Sequence, residues 1–588
     1  MDSAKGDIVL LLPGYLLGLA LLTVCMRGLR ERTRGLLTVG YSYVFVTLLL
    51  FFQQRADGTG ILQTLVASLY QAVCAITFQG DVSPADSLQV SCIFLIASLC
   101  TAQTVALLLC QRALDRMAQK RRVRRADTVY LICGDREDAQ ALIRDIGAHV
   151  QKPAIVYLAP TEDSGEALDG ALVEDAAFLE KLRPEQNYHV ALLPDTQHSN
   201  YQRLKELDVR GETLPNLHVT AFLENDLLRL EDLHFDHLDA YLVSREQLLV
   251  RAFLTENLPI RYLQTHGHGT VCDGVYVPDA PFSLCIIGFG ALSREFLLET
   301  LENTAFETAA SDRRGLQALI VGSDLPRRQD AFFRDYPHMA DERSLAWLDA
   351  APDAPALFDA VEERAAQLHQ ILIDTEDTDE NIRAAMRLLR LFRRLGMGER
   401  HPQLVVALYD DAEGCIALLA GEKNVLFQRV NRTQFTYEAL IERAADRQAE
   451  ALHRRYRAGN LHTETWQKLG TFTQTSNRAV VWDIPNKLAL AGDLAALDAA
   501  QRETVCWRLA QYEHRRWNMF HFTRGWTPLP AETLSDDERA RCVTKRPAEK
   551  RHTCLVDWDA LDALPQASPG LLKRYDYENV MQLLSEDK

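Results

Sequence analysis

The sequence has no CxxC pair and no histidines interleaved with cysteine at ligand spacing, although it carries 12 cysteines in 588 residues. Thiols scattered through apolar stretches (Cys25, Cys74, Cys92, Cys100, Cys110) argue against a disulfide framework or a metal centre. They fit reduced, unmetallated cysteines in a cytosol-facing protein. An excess of basic residues is also missing: the formal charge is −17. A general nucleic-acid binder needs a surplus of Lys and Arg on some face, so that class is excluded, while small anionic ligands can still use local pockets. No A-x-A cleavage site follows the first apolar run, and arginines follow that run instead of preceding it. The expectation is therefore a retained helix and not a cleaved signal.

What is present is unevenly distributed. The hydrophobic fraction, 47%, is ordinary, but the apolar residues concentrate at the N-terminus and later segments are charged and amphipathic. The length exceeds what one core supports and implies about three to five domains. Ile8 to Met26, Leu36 to Phe52 and Leu88 to Cys110 are near-continuous apolar runs, each close to the roughly 20 residues that a helix needs to cross a bilayer. Arg27, Arg30, Arg32 and Arg34 after the first run, and Arg112, Arg116, Lys120, Arg121, Arg122, Arg124 and Arg125 after the third, agree on one topology under the positive-inside rule. The N-terminus lies outside and the bulk of the chain is cytoplasmic, at the inner (plasma) membrane.

Between the second and third runs, Ile61 to Thr77 is short for a span and is followed by Phe78-Gln79-Gly80-Asp81-Val82-Ser83-Pro84. A re-entrant helix fits this length, and lipid tolerates such a turn only where protein or water satisfies its backbone. The stretch resembles the two-helix-plus-pore-loop unit of the tetrameric potassium channel superfamily in Tyr70, Thr77, Gly80, Asp81 and Pro84. The resemblance implies four chains around a cation pore, with Thr77, Phe78, Gln79, Gly80 and Asp81 as its filter. The family's first filter glycine is absent, which denies one residue the unusual backbone angle that aims its carbonyl at the ion and points to weak selectivity. The alternative reading is an interfacial helix and turn in a plain three-span anchor.

From Thr128 onward, short β-rich runs alternate with amphipathic helices, the pattern of a doubly wound parallel sheet. One unit has expected strands at Val129 to Cys133, Ala154 to Leu158, His189 to Leu193, His218 to Phe222 and Ala240 to Val243. A second opens at Ser283 and continues through Ala318 to Val321, Gln370 to Ile373 and Leu404 to Leu408. Directly after a pore-like helix, this pair resembles tandem RCK domains (regulators of potassium conductance, related to TrkA-N), especially in "DAYLVSREQLLVRAFL" and "ILIDTEDTDENIRAAMRLLRLF". Closely spaced glycines let a backbone approach pyrophosphate at a helix N-terminus. The first unit keeps only Gly134, and no dinucleotide is expected there. The second keeps Gly288 and Gly290 with Ser293 in the third position, and Asp324 after its second strand is placed to hold a ribose. A tight turn needed for packing alone explains the same glycines equally well.

After Arg432 the chain is helical and charged. Glu513-His514-x-Arg516-Trp517 and Gly525-Trp526, with Ser476-Asn477-Arg478 upstream, resemble the RyR domain, the module named for ryanodine receptors. Arg478, Glu513, His514, Arg516, Trp517 and Trp526 then form a candidate pocket in which tryptophan stacks on a base and arginine grips phosphate. The resemblance implies an adenine-nucleotide or ADP-ribose-like ligand. The bland reading is a core in which the tryptophans pack and the charges satisfy one another. Glu513 and His514 diverge by about 100 degrees on a helix and lack metal-ligand spacing, so catalysis is not expected.

The fold class is therefore multidomain. It comprises an α-helical transmembrane pore-like module (1–112), a basic linker (113–127), two α/β Rossmann-like, RCK-type domains (128–262 and 282–430), a helical connector (431–470) and a mainly α RyR-like domain (471–588). The domain order favours a ligand-gated ion channel with membrane lipid, a permeating cation and a small nucleotide-like ligand as partners, assembled as a homotetramer. A membrane-anchored nucleotide-processing enzyme and a stress or antiviral effector that depolarises the membrane are the alternatives.

Overall fold

The computed structural model describes residues 11–25, 31–55, 60–76, 88–159, 168–194, 197–223, 233, 235–310, 315–342, 344–410, 413–419, 421–430, 435–459, 464–539, 543–566 and 569–584. The expected filter, Thr77, Phe78, Gln79, Gly80 and Asp81, lies outside these residues. The chain divides into two units, Met1–Ala126 and Asp127–Lys588.

The first unit is four helices: α1 (Leu11–Cys25), α2 (Glu31–Arg55), α3 (Ile61–Ile76) and α4 (Leu88–Arg125). Among the described residues only α2 contains a stretch long and apolar enough to cross a membrane, Gly35–Phe52. The apolar stretches Leu11–Cys25, Ile61–Cys74 and Ser91–Ala106 are shorter. Of the three expected spans, Leu36 to Phe52 meets that length, and Ile8 to Met26 lies partly outside the described residues. Helix α3 is inside out for a water-soluble protein. It buries Thr64 and Ser68 against its neighbours while leaving Leu62 75% and Tyr70 70% exposed. The same inward face also buries Ala72 and Ile76, so apolar residues lie on both sides of the helix. Helix α4 is 38 residues long, about 57 Å at the standard rise. The expected third span and basic linker are one continuous helix, which ends at Arg125, and the first strand opens at Thr128.

The second unit contains two six-stranded sheets of identical order. The first is built from β1 (Thr128–Cys133), β2 (Ala154–Leu158), β3 (Leu172–Glu174), β4 (Asn187–Leu192), β5 (Leu217–Phe222) and β6 (Asp239–Val243), with α5 (Arg136–His149) after β1. Its strands run parallel in the order β3-β2-β1-β4-β5-β6, the doubly wound Rossmann arrangement. A bridge follows, of α6 (Arg245–Glu256), the short helix Pro259–Thr265 and the hairpin β7 (Gly269–Cys272) to β8 (Val275–Pro278). The hairpin turns at Asp273-Gly274, both with positive φ.

The second sheet uses β9 (Phe282–Ile287), β10 (Leu316–Gly322), β11 (Leu345–Asp349), β12 (Gln370–Ile373), β13 (Gln403–Leu408) and β14 (Val425–Arg429) in the parallel order β11-β10-β9-β12-β13-β14. Helix α7 (Ala291–Asn303) follows β9 and α8 (Leu325–Asp335) follows β10. Every residue of β9 is buried, as expected for a central parallel strand covered on both faces.

The chain then doubles back. Phe435, Leu440 and Ile441, from the expected connector, join the core of the first sheet, and Thr220 Oγ1 donates to the carbonyl of Leu440 at 2.8 Å. The C-terminal module follows as α9 (Ala444–Gly459), α10 (Thr471–Trp482), α11 (Ile484–Ala491), α12 (Ala499–Phe522), a small sheet and α13 (Leu571–Leu584). The sheet has β15 (Thr527–Pro528), β16 (Lys545–Arg546) and β17 (Arg551–His552) in the order β15-β17-β16. A reciprocal capping box starts α12: Gln501 N–H donates to Asp498 Oδ1 at 2.8 Å and Asp498 N–H to Gln501 Oε1 at 3.0 Å. Helix α7 packs on both α6 and α12, and Leu284 and Ile286 of β9 share one core with Leu490, Leu509 and Trp526.

Candidate functional site

The two strand-to-helix turns where a Rossmann fold receives phosphate are both occupied by carboxylates of the chain itself. After β1 of the first sheet Gly134 has φ +122, and a Cβ there would come within 2.9 Å of the Leu193 carbonyl oxygen. The next residue, Asp135, caps α5 by accepting the N–H groups of Glu137 and Asp138 at 2.8 and 3.3 Å. An anion would have to displace that cap.

In the second unit Gly288 has φ +94 and Gly290 stands at the N-cap of α7. A Cβ on Gly288 would run into the Asp374 carbonyl, so this glycine is required by backbone packing alone. Ser293 donates to Asp374 Oδ2 through its N–H at 3.0 Å and its hydroxyl at 2.5 Å, and Tyr409 donates to Oδ1 at 2.6 Å. Asp374 is fully buried, a fixed anion inside the first turn of α7. Burial first, and then the Asp374 charge, push the Tyr409 phenol far above its ordinary range. Asp324 stands two residues beyond β10, the place for a ribose-binding acid. Its φ is +55 and its side chain makes no cap; the Leu325 N–H is taken by Asp349 at 3.1 Å.

The six residues of the expected C-terminal pocket are placed in separate clusters. Arg478, on α10, is buried and pairs with Asp446 of α9, with its guanidinium 4.8 Å from the Tyr241 ring and 5.5 Å from the Trp466 ring. Asp446 also pairs with Arg443, which reaches Asp239 at 3.3 Å, and Asp239 accepts from His218 at 2.8 Å. This network ties the module to the edge strand β6.

Glu513 and Arg516 form a second cluster on α12. Arg516 donates twice to Glu513, at 2.7 and 2.9 Å, Lys487 pairs with Glu513 at 2.8 Å and with Asp483 at 2.5 Å, and Tyr512 donates to Asp483 at 2.6 Å. Burial alone would raise the Glu513 carboxyl, but Arg516 and Lys487 outweigh it and hold the group at about 2. Beside this cluster, α7 contributes Glu302, bonded to Arg524 at 2.5 Å, and Glu299, bonded to Arg251 of α6 at 2.8 Å. The cavity between them, lined by Arg251, Glu299, Glu302, Asp483 and Arg516, is about 40 Å³. It is water-sized and admits no purine.

His514 joins α12 to α13 and to the loop after β17, through Asp576 at 3.2 Å and the Val556 carbonyl at 2.9 Å. Trp517 and Trp526 belong to a third cluster. Trp526 is buried, 4.9 Å from Phe472 and 5.4 Å from His521, ring to ring, and Trp517 lies tilted 4.1 Å from His521 and edge-on 5.1 Å from His552. Lys545 Nζ stands 4.9 Å from the Phe472 ring and 5.1 Å from the Trp526 ring.

The sequence reading missed Lys487, Asp483, Asp446, Phe472, His521, His552 and Lys545. The i, i+4 pair Asp483 and Lys487 in "WDIPNKLAL" was a usable signal; nothing around Lys545 distinguishes it from a solvated lysine. Among the described residues no group of three His, Cys, Asp or Glu is disposed to hold a metal ion.

No protein-family model matches the chain, and no curated protein matches it. Among solved structures it is similar to the GsuK channel bound to NAD, at 14% identity and a TM-score of 0.31 over 71% of this chain and 85% of that one. It is also similar to GsuK bound to ADP, at 15% and 0.28 over 68% and 96%, and to the GsuK channel, at 16% and 0.30 over 66% and 92%. At those TM-scores the likeness carries no argument, and the Rossmann order of the two sheets rests on their own strand pairing.

Proposed function

We propose that the chain is a ligand-gated ion channel of the inner (plasma) membrane, a homotetramer with a cation pathway along the N-terminal helices. The cytoplasmic Rossmann pair and helical module regulate that pathway in response to a nucleotide-type ligand, and the chain catalyses no reaction. One observation carries this reading: α4 runs unbroken from its apolar stretch through the basic residues to Arg125, and the regulatory part begins at Thr128. A membrane helix joined to a sensor by two residues transmits movement, whereas a plain anchor has no need of a stiff joint. The inside-out α3, with Leu62 and Tyr70 outward and Thr64 and Ser68 inward, supports a location where lipid or other copies cover it.

Regulation then follows from differential affinity. A ligand that binds one arrangement of the cytoplasmic part more tightly shifts the population toward it, and α4 carries the shift to the pathway. The test is cation flux from proteoliposomes holding the full chain, with adenine nucleotides, cyclic nucleotides and ADP-ribose derivatives added in turn. Ligand-dependent flux is expected; no flux under any condition removes the channel reading. Replacing Gly80 or Asp81 is expected to change conductance and leave ligand affinity intact.

A further inference from the structure

The cations of the C-terminal module fall into two kinds. Arg478, Lys487, Arg516 and Arg524 are buried, and each is paired with a carboxylate: Asp446, Asp483 with Glu513, Glu513, and Glu302. Their charge is spent inside the fold, and releasing any of them to hold a ligand would strand a buried acid.

Lys545 is different. It lies on β16, exposed at its outer end, and among the described residues no carboxylate stands within ion-pair distance of it. Its ammonium sits instead over the faces of Phe472 and Trp526, a contact that leaves the charge without a counter-charge. Directly opposite on the antiparallel partner strand is His552, another base. His521 lies 6.0 Å from His552, ring to ring. The charged neighbours acting on these two imidazoles are all bases: Lys545 and His514 for His552, and His552, Lys545 and Arg524 for His521. The indole N–H of Trp526, itself buried, has no hydrogen-bond partner. Aromatic faces, an unspent cation, an unspent donor and no acid within reach are thus gathered at one place.

We infer that the ligand of the C-terminal module is an anion carrying a flat ring, a nucleotide phosphate, and that it docks on Lys545 beside the Phe472–Trp526 ring pair. This rests on the nucleotide-sensing reading above and relocates its site. The paired Arg478, Glu513 and Arg516 hold the module together, and Lys545 makes the phosphate contact. Charge selects the phosphate, because the Lys545 ammonium has no carboxylate partner among the described residues and the uncharged His552 opposite it adds no acid to repel an anion. The ring is selected by contact with the half-buried Phe472, since Trp526 is itself buried, and aromatic contact of this kind tolerates several bases. Burial depresses the Lys545 ammonium and drives His552 down to about 4, so a phosphate paired with Lys545 would favour its charged form while His552 stays uncharged near pH 7.

The test is equilibrium binding of ATP, ADP-ribose and inorganic phosphate to the full chain in detergent micelles, followed by tryptophan fluorescence and calorimetry. Lys545 is at the surface, so Lys545→Gln should melt as the wild type does. A lost charge-assisted contact predicts affinity for ATP or ADP-ribose weaker by about 10-fold or more in this variant. Lys545→Arg should restore most of it, and Phe472→Leu should weaken both nucleotides without changing the binding of phosphate. Wild-type affinity in Lys545→Gln overturns the assignment alone and leaves a nucleotide site elsewhere in the chain. Phosphate binding as tightly as ATP overturns the ring contact. A wild-type chain that binds none of the probes overturns the assignment together with nucleotide sensing, while the pore is judged separately by flux.

Discussion

A methyl group added at Gly288 and one added at Gly290 meet different obstacles. At Gly288 it runs into the Asp374 backbone, which cannot move, and the positive φ disfavours any side chain. At Gly290 it meets the carboxylate end of Glu376, an exposed side chain that can swing away. Gly288→Ala is therefore expected to cost about 2 kcal/mol or more in the absence of any ligand, and Gly290→Ala less than about 1 kcal/mol. Thermal melts of the full chain in micelles check this; equal melting points for both variants would deny Gly288 its packing role. Glu513 supplies a second prediction. Its carboxyl lies at about 2 in the fold and 4.5 is its ordinary value, so its contribution is fully present above about pH 4.5 and is lost as pH falls toward 2. Asp483 is pushed the other way, burial raising it, so Glu513 is the acid-labile member of the cluster. Glu513→Gln should lower stability at pH 7 by about 3 to 5 kcal/mol, because Arg516 and Lys487 lose a buried partner. It should also flatten the fall between pH 4.5 and 2. Melting curves across that range that superimpose on the wild type would exclude this role.

At the scale of elements, the central strands were legible and, of the sheet edges, only β6 was. The buried runs β1, β2, β9 and β13 are continuous apolar stretches, whereas β3 is three residues long, and β11 and β14 at the rim of their sheet each bury only their first residue. An edge strand in a parallel sheet loses the apolar signal that betrays a central one. The C-terminal residues show the same limit. Glu513 shares the expected pocket with Trp517, but its partners are Arg516 at i, i+3 and Lys487 from another helix, and the second is a tertiary contact that no local spacing encodes. The joint between α7 and α12 lies in this unread category. Glu302 accepts from both Arg524 and Thr523, and burial of its carboxyl is outweighed by Arg524, which holds it below the ordinary range. A double-mutant cycle of Glu302→Gln and Arg524→Met should return a coupling of about 1 to 3 kcal/mol in urea unfolding. A coupling near zero would mean that the second Rossmann domain and the helical module are held by their shared apolar core alone. Phe435→Ala tests the returning segment: filling the first sheet's core from residues far along the chain, it should cost about 3 to 5 kcal/mol.

For the whole molecule, the decisive element is the stretch that joins its two units. Helix α4 is continuous to Arg125 and only Ala126 and Asp127 precede β1, so in the proposed channel those two residues are the chain link through which the first sheet would act on α4. Inserting four glycines between Ala126 and Asp127 should leave both units folded, because the insertion breaks no core contact and loop entropy rises by about 1 kcal/mol at most. Ligand affinity should stay close to that of the wild type, since the binding residues lie hundreds of positions away. Ligand-dependent flux should be lost, because the population shift in the cytoplasmic part no longer pulls on α4. Binding and flux measured on one proteoliposome preparation separate the outcomes. Retained binding with lost gating makes α4 the lever, and retained gating requires that the cytoplasmic part act on the membrane helices by some contact other than the chain that joins them.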